Sequence, residues 1–189
     1  MKNNSIRILD ILISILMLIL TSPLIALISL IIFLFYGKPI IFRQTRIGLY
    51  GKKFEILKFR TMKNKTFKTE NDRVTKFGMV LRRLSFDEIP QFLNVLKNDM
   101  SLVGPRPLPE INEIKIDNRF RETRNKILPG MTGFSQINYS GKYRKLNDKV
   151  KLDIKFVKNY SLFNYLKILM KTPIVLVIRL MRNKSSIIK

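Results

Sequence analysis

Residues 11–36 carry no charged side chain, and no other feature constrains the architecture of this chain as strongly. As a helix, these Leu- and Ile-rich residues would reach ~39 Å at ~1.5 Å per residue, against a bilayer hydrocarbon core of ~30 Å. The run is too long for the apolar stretch of a signal peptide, no small-residue cleavage site follows it, and everything downstream is densely basic. It is therefore expected to stay in the chain as a membrane segment.

Ser22 and Pro23 near its middle bear on how it sits. Proline removes a backbone donor and clashes with the carbonyl four residues back, and the Thr21 and Ser22 hydroxyls can satisfy the groups this frees. Two geometries follow, a bent span or a re-entrant helix-break-helix whose ends share one face of the bilayer. Both flanks are cationic, with Lys2 and Arg7 before and Lys38, Arg43 and Arg46 after. The positive-inside rule accommodates them best if both ends are cytoplasmic.

The 189 residues include 36 Lys and Arg against 13 Asp and Glu, a net charge of +23. That balance implies an anionic partner: nucleic acid, an anionic membrane surface or a phosphorylated small molecule. With no Cys and no His, disulfides, thiolate or familiar zinc sites and Ser-His-Asp chemistry are excluded. Any catalysis must rest on carboxylates, hydroxyls, cations or a metal.

Those requirements converge on SFDEIPQ at 85–91, which holds the chain's only adjacent carboxylate pair, Asp87 and Glu88. Residues 40–62 alternate apolar and basic side chains around Gly48 and Gly51, predicting strand, turn and strand. Residues 63–75 read as a loop. From 76 to 100 apolar residues recur at helical spacing, interrupted at 85–90, which predicts two helices meeting at the acidic pair. A capping box between Ser85 and Glu88 would make the acids structural. Against it stand the scarcity of carboxylates, Arg82 and Arg83 one turn upstream, and Gly104, Pro105 and Arg106 shortly downstream. Guanidinium groups, helix N-termini and a Gly-Pro turn form an anion site, and acids inside one make sense chiefly when a divalent cation bridges them to phosphates.

RQTRIG at 43–48, KFRTM at 58–62, LRRLSFDEIPQFLNVLKNDMSLVGPRP at 81–107 and PGMTGFSQIN at 129–138 resemble, in order, the bacterial sugar transferase family. These are monotopic phosphoglycosyl transferases that start glycan assembly on a polyprenyl phosphate. The resemblance spans almost the whole chain and implies that Asp87 is a nucleophile with Glu88 as its partner, the two also holding Mg2+. It likewise implies phosphate contacts from Lys58, Arg60, Arg82 and Arg106, and a re-entrant break at Ser22 and Pro23. The implied reaction moves a phosphosugar from a UDP-sugar to undecaprenyl phosphate through an aspartyl-phosphosugar, releasing UMP. Such chemistry needs no histidine, because the leaving group and the acceptor are both phosphates. Where family members often have Gly-Arg after the Gln-Ile-Asn stretch, this chain has Tyr139 and Ser140, so Arg144 or Lys142 is the candidate replacement.

Near the C-terminus Leu162, Phe163, Leu166, Leu169 and Met170 form an apolar stripe flanked by Lys167 and Lys171, and Ile174 to Ile178 continue it beyond Pro173. The stripe fits core packing or a pair of interfacial helices broken at Pro173, whose cations meet anionic lipid headgroups. The expected fold is α+β and helix-rich: a re-entrant membrane helix over 1–38, one compact catalytic domain over 39–182 on the cytoplasmic face of a bacterial membrane, and a tail at 183–189. No nucleic-acid partner is expected. A non-enzymatic, membrane-anchored basic protein binding anionic lipid or nucleic acid is the alternative, and it leaves Asp87, Glu88 and VGPRP at 103–107 unexplained. A transferase handing over sugar alone would release UDP instead of UMP.

Overall fold

The computed structural model describes residues 4–63, 73–138 and 145–184. Its first element, α1 (Asn4–Tyr36), begins before the apolar run and continues through Pro23 without a gap. The Ser22 hydroxyl donates to the Ile19 carbonyl at 2.8 Å, the partner that proline leaves without a donor, and Thr21 donates to Met17 at 2.6 Å. The expected break is thus a proline within one continuous helix.

Both ends of α1 are held by the same body. Near the start, Arg7 donates to the Val95 and Leu96 carbonyls at 2.7 and 3.0 Å, and the buried Asp10 carboxylate accepts from Ser101, the Leu102 amide and the Tyr165 hydroxyl. Near the other end, Ile28 and Ile32 join a cluster with Phe59, Leu81 and Ile89. A straight helix would hold Arg7 and Ile32 about 38 Å apart, whereas Ile89 and Val95 lie within about 10 Å along a helical path. The helix therefore bends between its two anchors. Between its anchors Leu16, Ile19, Leu20 and Leu27 stand exposed.

The predicted strand pair forms as β1 (Ile41–Ile47) and β2 (Lys53–Phe59), antiparallel from Ile41 opposite Phe59 to Ile47 opposite Lys53. A two-stranded ribbon leaves the outer edge of each strand unpaired, and Asn94 covers that of β2. Its carboxamide oxygen accepts from the Leu57 amide at 3.0 Å while its nitrogen donates to the Glu55 carbonyl at 2.7 Å, as a third strand would. The two predicted helices are α2 (Lys76–Leu84), capped by the Thr75 hydroxyl, and α3 (Gln91–Leu96), with a 3₁₀ turn at Phe86–Glu88 between them. The capping box does not form. Ser85 closes α2 in a left-handed conformation (φ 59°) and its side chain caps nothing.

The motifs VGPRP and PGMTG meet through a parallel pair, β3 (Ser101–Val103) with β4 (Gly130–Thr132). Close approach explains the glycines: a Cβ on Gly130 would lie 1.9 Å from the Gly104 nitrogen, and one on Gly104 2.3 Å from the Leu128 carbonyl oxygen. Because those neighbours are backbone, Gly130→Ala is expected to cost about 1–3 kcal/mol or more. Denaturant unfolding of the detergent-solubilised protein would show it, and an unchanged midpoint would refute the close packing.

Between the strands lie α4 (Glu110–Glu113) and α5 (Asn118–Arg124); α6 (Phe134–Ile137), α7 (Leu146–Lys158) and α8 (Leu162–Lys184) follow. The helix α8 runs through Pro173 as one element, not as two interfacial helices, and extends to Lys184, into the segment expected as a tail. Its stripe also divides. Tyr165 and Ile168 are core, Leu162, Leu166 and Leu169 pack on it, and Phe163, Met170, Ile174, Val177 and Met181 are exposed.

Candidate active site

The α2–3₁₀–α3 junction delivers Asp87 and Glu88 to the wall of a cavity of about 470 Å³. One face of β1 contributes Phe42, Gln44 and Arg46 to it, and β2 contributes Lys58. Arg82 on α2 and Arg106 in the VGPRP loop join Lys58 there. Lys58 sits between the acids, with its Nζ 2.6 Å from Glu88 Oε1 and 3.9 Å from Asp87 Oδ2. Arg106 adds a second cation 3.7 Å from Glu88 Oε1. Arg82 donates through Nε to the Thr61 hydroxyl at 2.8 Å, which holds its stem against the cavity wall.

The two carboxylates therefore differ. Burial would raise Glu88, but Lys58 and Arg106 outweigh it and hold the group below its ordinary value. For Asp87 burial outweighs the pull of Lys58 and Arg82 and raises it from 3.8 to about 6, with the neighbouring Glu88 charge adding to the rise. Such a carboxylate is still mostly ionised at neutral pH, yet more basic than a free one, which suits a nucleophile. Glu88 stays ionised beside its cations.

Arg60 is placed differently from expectation. Its stem lines the cavity, but its guanidinium donates to the carbonyls of Tyr36, Gly37 and Lys38 at 2.5, 2.7 and 3.0 Å. It caps the C-terminal end of α1, where a cation suits both the orphan carbonyls and the helix dipole. Arg144 and Lys142 lie outside the described residues. Three cavity cations went unassigned in the sequence, Arg46, Lys63 and Arg73. Arg46 shares the period-2 face of β1 with Gln44, a signal present in RQTR, and burial and then Arg106 hold its guanidinium below its ordinary value. Arg73 lay in a stretch read only as loop, and nothing in the sequence marked it.

Among the described residues no three metal-ligating side chains cluster. Two adjacent carboxylates fit a hard cation of the magnesium type, which takes most of its shell from water and substrate phosphates. Asp87 and Glu88 would hold it.

A family model for bacterial sugar transferases matches residues 1–179. The chain belongs to the bacterial sugar transferase family. Within that family it is 39% identical over 180 residues to the UDP-glucose:undecaprenyl-phosphate glucose-1-phosphate transferase of Escherichia coli (strain K12), covering 86% of this chain and 38% of that protein. It is 40% identical over 171 residues to the uncharacterized sugar transferase EpsL of Bacillus subtilis (strain 168), covering 88% and 84%. A third member, the UDP-N-acetylgalactosamine-undecaprenyl-phosphate N-acetylgalactosaminephosphotransferase of Aeromonas hydrophila, is 36% identical over 174 residues, covering 86% and 41%. The chain thus spans about two fifths of the length of the first and third of these relatives.

Proposed function

We propose that this bacterial sugar transferase moves a sugar 1-phosphate from a UDP-sugar to undecaprenyl phosphate in two steps, with Asp87 as the nucleophile. The observation that carries the reading is the cavity's charge: among the described residues, Arg46, Lys58, Lys63, Arg73, Arg82 and Arg106 surround two carboxylates, one of them closely paired. A site so loaded is built for the oxygens of a diphosphate. Relatives named as UDP-sugar:undecaprenyl-phosphate transferases support the substrate class.

In the first step an Asp87 oxygen attacks the phosphorus that bears the sugar. The bond from that phosphorus to the bridging oxygen breaks, UMP leaves with the electron pair, and an aspartyl-phosphosugar remains. In the second, a phosphate oxygen of undecaprenyl phosphate attacks the same phosphorus and the carboxylate departs, regenerating Asp87. Neither step transfers a proton. Lys58, Arg82 and Arg106 neutralise the equatorial oxygens, and Glu88 keeps Lys58 in place. Magnesium, held by Asp87 and Glu88, supplies charge neutralisation at the phosphates when bound.

The bent α1 enters and leaves the bilayer on its cytoplasmic face, and the exposed apolar side of α8 rests on the same surface among anionic headgroups. Since the chain has no cysteine, single cysteines at Asn4 and Lys38 report topology without background. Both are expected to react with an impermeant maleimide only from the cytoplasmic side; labelling of position 4 from the opposite side would sink the re-entrant placement. Pro23→Ala is expected to straighten α1 and favour a spanning form.

The activity is tested by presenting UDP-sugars with undecaprenyl phosphate to the purified full chain and identifying the nucleotide product. UMP is expected. Release of UDP would mean transfer of sugar alone, and no release across the donors would return the chain to the class of basic, lipid-binding anchors.

A further inference from the structure

Beside the cavity lies a second group of charges that the reaction above does not use. Arg124 of α5, Glu113 of α4 and Asp153 of α7 are 2%, 3% and 3% exposed. Arg124 donates through Nη1 to Glu113 Oε2 and through Nε to Asp153 Oδ2, both at 3.1 Å. Asn125 engages the other Glu113 oxygen at 2.8 Å. One guanidinium serves two buried carboxylates, and burial pushes that of Asp153 above its ordinary value. Buried ionic clusters of this kind are weak contributors to stability, and well-packed apolar side chains of the same volume often do as well or better. The cluster needs another reason.

Its remaining donor supplies one. Arg124 Nη2 donates to the backbone carbonyl of Arg106, and Asp153 faces the Arg106 amide. Arg106 is flanked by Pro105 and Pro107, so its backbone is already narrowed, and its carbonyl is now held from behind. Its side chain is the opposite case. Arg106 is 49% exposed at the side chain and reaches Glu88 at 3.7 Å. A long cation standing half in solvent can be aimed only from its root.

We propose that Arg124, forked between Glu113 and Asp153, is a positioning residue that fixes the root of Arg106 and so aims that guanidinium at the anion held over Asp87. The role rests on the phosphotransfer reading, so its test begins with binding alone. Inorganic pyrophosphate is titrated calorimetrically into the detergent-solubilised full chain, in wild type, Arg124→Lys, Arg106→Ala and the double variant. Lysine keeps the charge but cannot fork to two carboxylates and a carbonyl. Arg124→Lys is expected to weaken pyrophosphate binding about tenfold, and to weaken it no further when Arg106 is already alanine. The kcat/KM for a UDP-sugar should follow the same non-additive pattern.

An equal loss in both backgrounds would overturn the proposal, because Arg124 would then act independently of Arg106. So would wild-type binding by a folded Arg124→Lys protein. Should the lysine variant not fold, the isosteric Asp153→Asn repeats the cycle with the same expectation and the same refutation. If the coupled loss appears in pyrophosphate binding while no UDP-sugar yields UMP, the positioning role stands and the phosphotransfer reading falls.

Discussion

Asp87→Asn is expected to abolish turnover and, at neutral pH, to raise the melting temperature. The amide keeps the shape of the carboxyl but cannot form an acyl phosphate, so UMP release should fall to background. Mass spectrometry after incubation with donor alone should find a phosphosugar on the Asp87 peptide in the wild type only. The stability gain follows from burial. Folding raises Asp87 from 3.8 to about 6, so the folded state holds this proton more tightly than the unfolded state. Stability from this group is therefore complete below about pH 3.8 and is lost as pH rises through 6, a deficit of about 3 kcal/mol at neutral pH. Asparagine is spared that loss. The gain should shrink as the pH is lowered towards 4, measured by thermal unfolding in a chelating buffer. A purely structural Asp87 would give the opposite pair of results: near-normal turnover and a lower melting temperature.

The contrast between Asp87 and Glu88 shows what the sequence could convey and what it could not. The position of the pair between two helices was legible, because the apolar residues of 76–100 keep helical spacing up to 84 and resume at 89. The strand pair was legible for the same reason at period two, and α1 from hydrophobicity alone. Which carboxylate is free was not legible, since that depends on Lys58, 30 residues away in sequence, choosing Glu88 at 2.6 Å over Asp87 at 3.9 Å. Ser85 shows a local rule giving way: its spacing to Glu88 is that of a capping box, yet the sharp turn out of α2 takes it into the left-handed region and its hydroxyl caps nothing.

Non-local pairing accounts for the other misses. The strands β3 and β4 are three residues each and pair across 29 positions, too short for a periodic signal, and only the glycines at 104 and 130 hint at the close approach. Arg60 looks like its neighbour Lys58 in KFRTM, but the C-terminal end of α1 and the two residues after it present three carbonyls that take its guanidinium. Arg124 lies in NRFRETR, a segment whose polarity suggests a solvated helix, and becomes one of the most buried side chains in the protein. In each case the deciding partner is a backbone group or a buried charge supplied by a distant element.

Lys58→Met is expected to have the second large effect, and its signature is a displaced pH profile. Lys58 is the principal cation lowering both carboxylates. Without it, the two adjacent buried acids lose the cation they share, keeping only Arg82 for Asp87 and Arg106 for Glu88, so both hold their protons to higher pH than in the wild type. At neutral pH turnover should fall about 10²–10³-fold, from the missing phosphate contact and from a nucleophile left partly protonated. The second component is recoverable. As pH rises, Asp87 ionises again, so the variant should regain part of its activity at alkaline pH while the wild type, whose acid limb lies near 6, stays level. Stability should move the other way. Asp87, already above its unfolded value, then rises further, so the variant's folded state holds that proton to higher pH and loses stability as pH rises through that window. A variant whose rate is reduced by the same factor at every pH would show that Lys58 only contacts substrate and does not govern the ionisation of the pair.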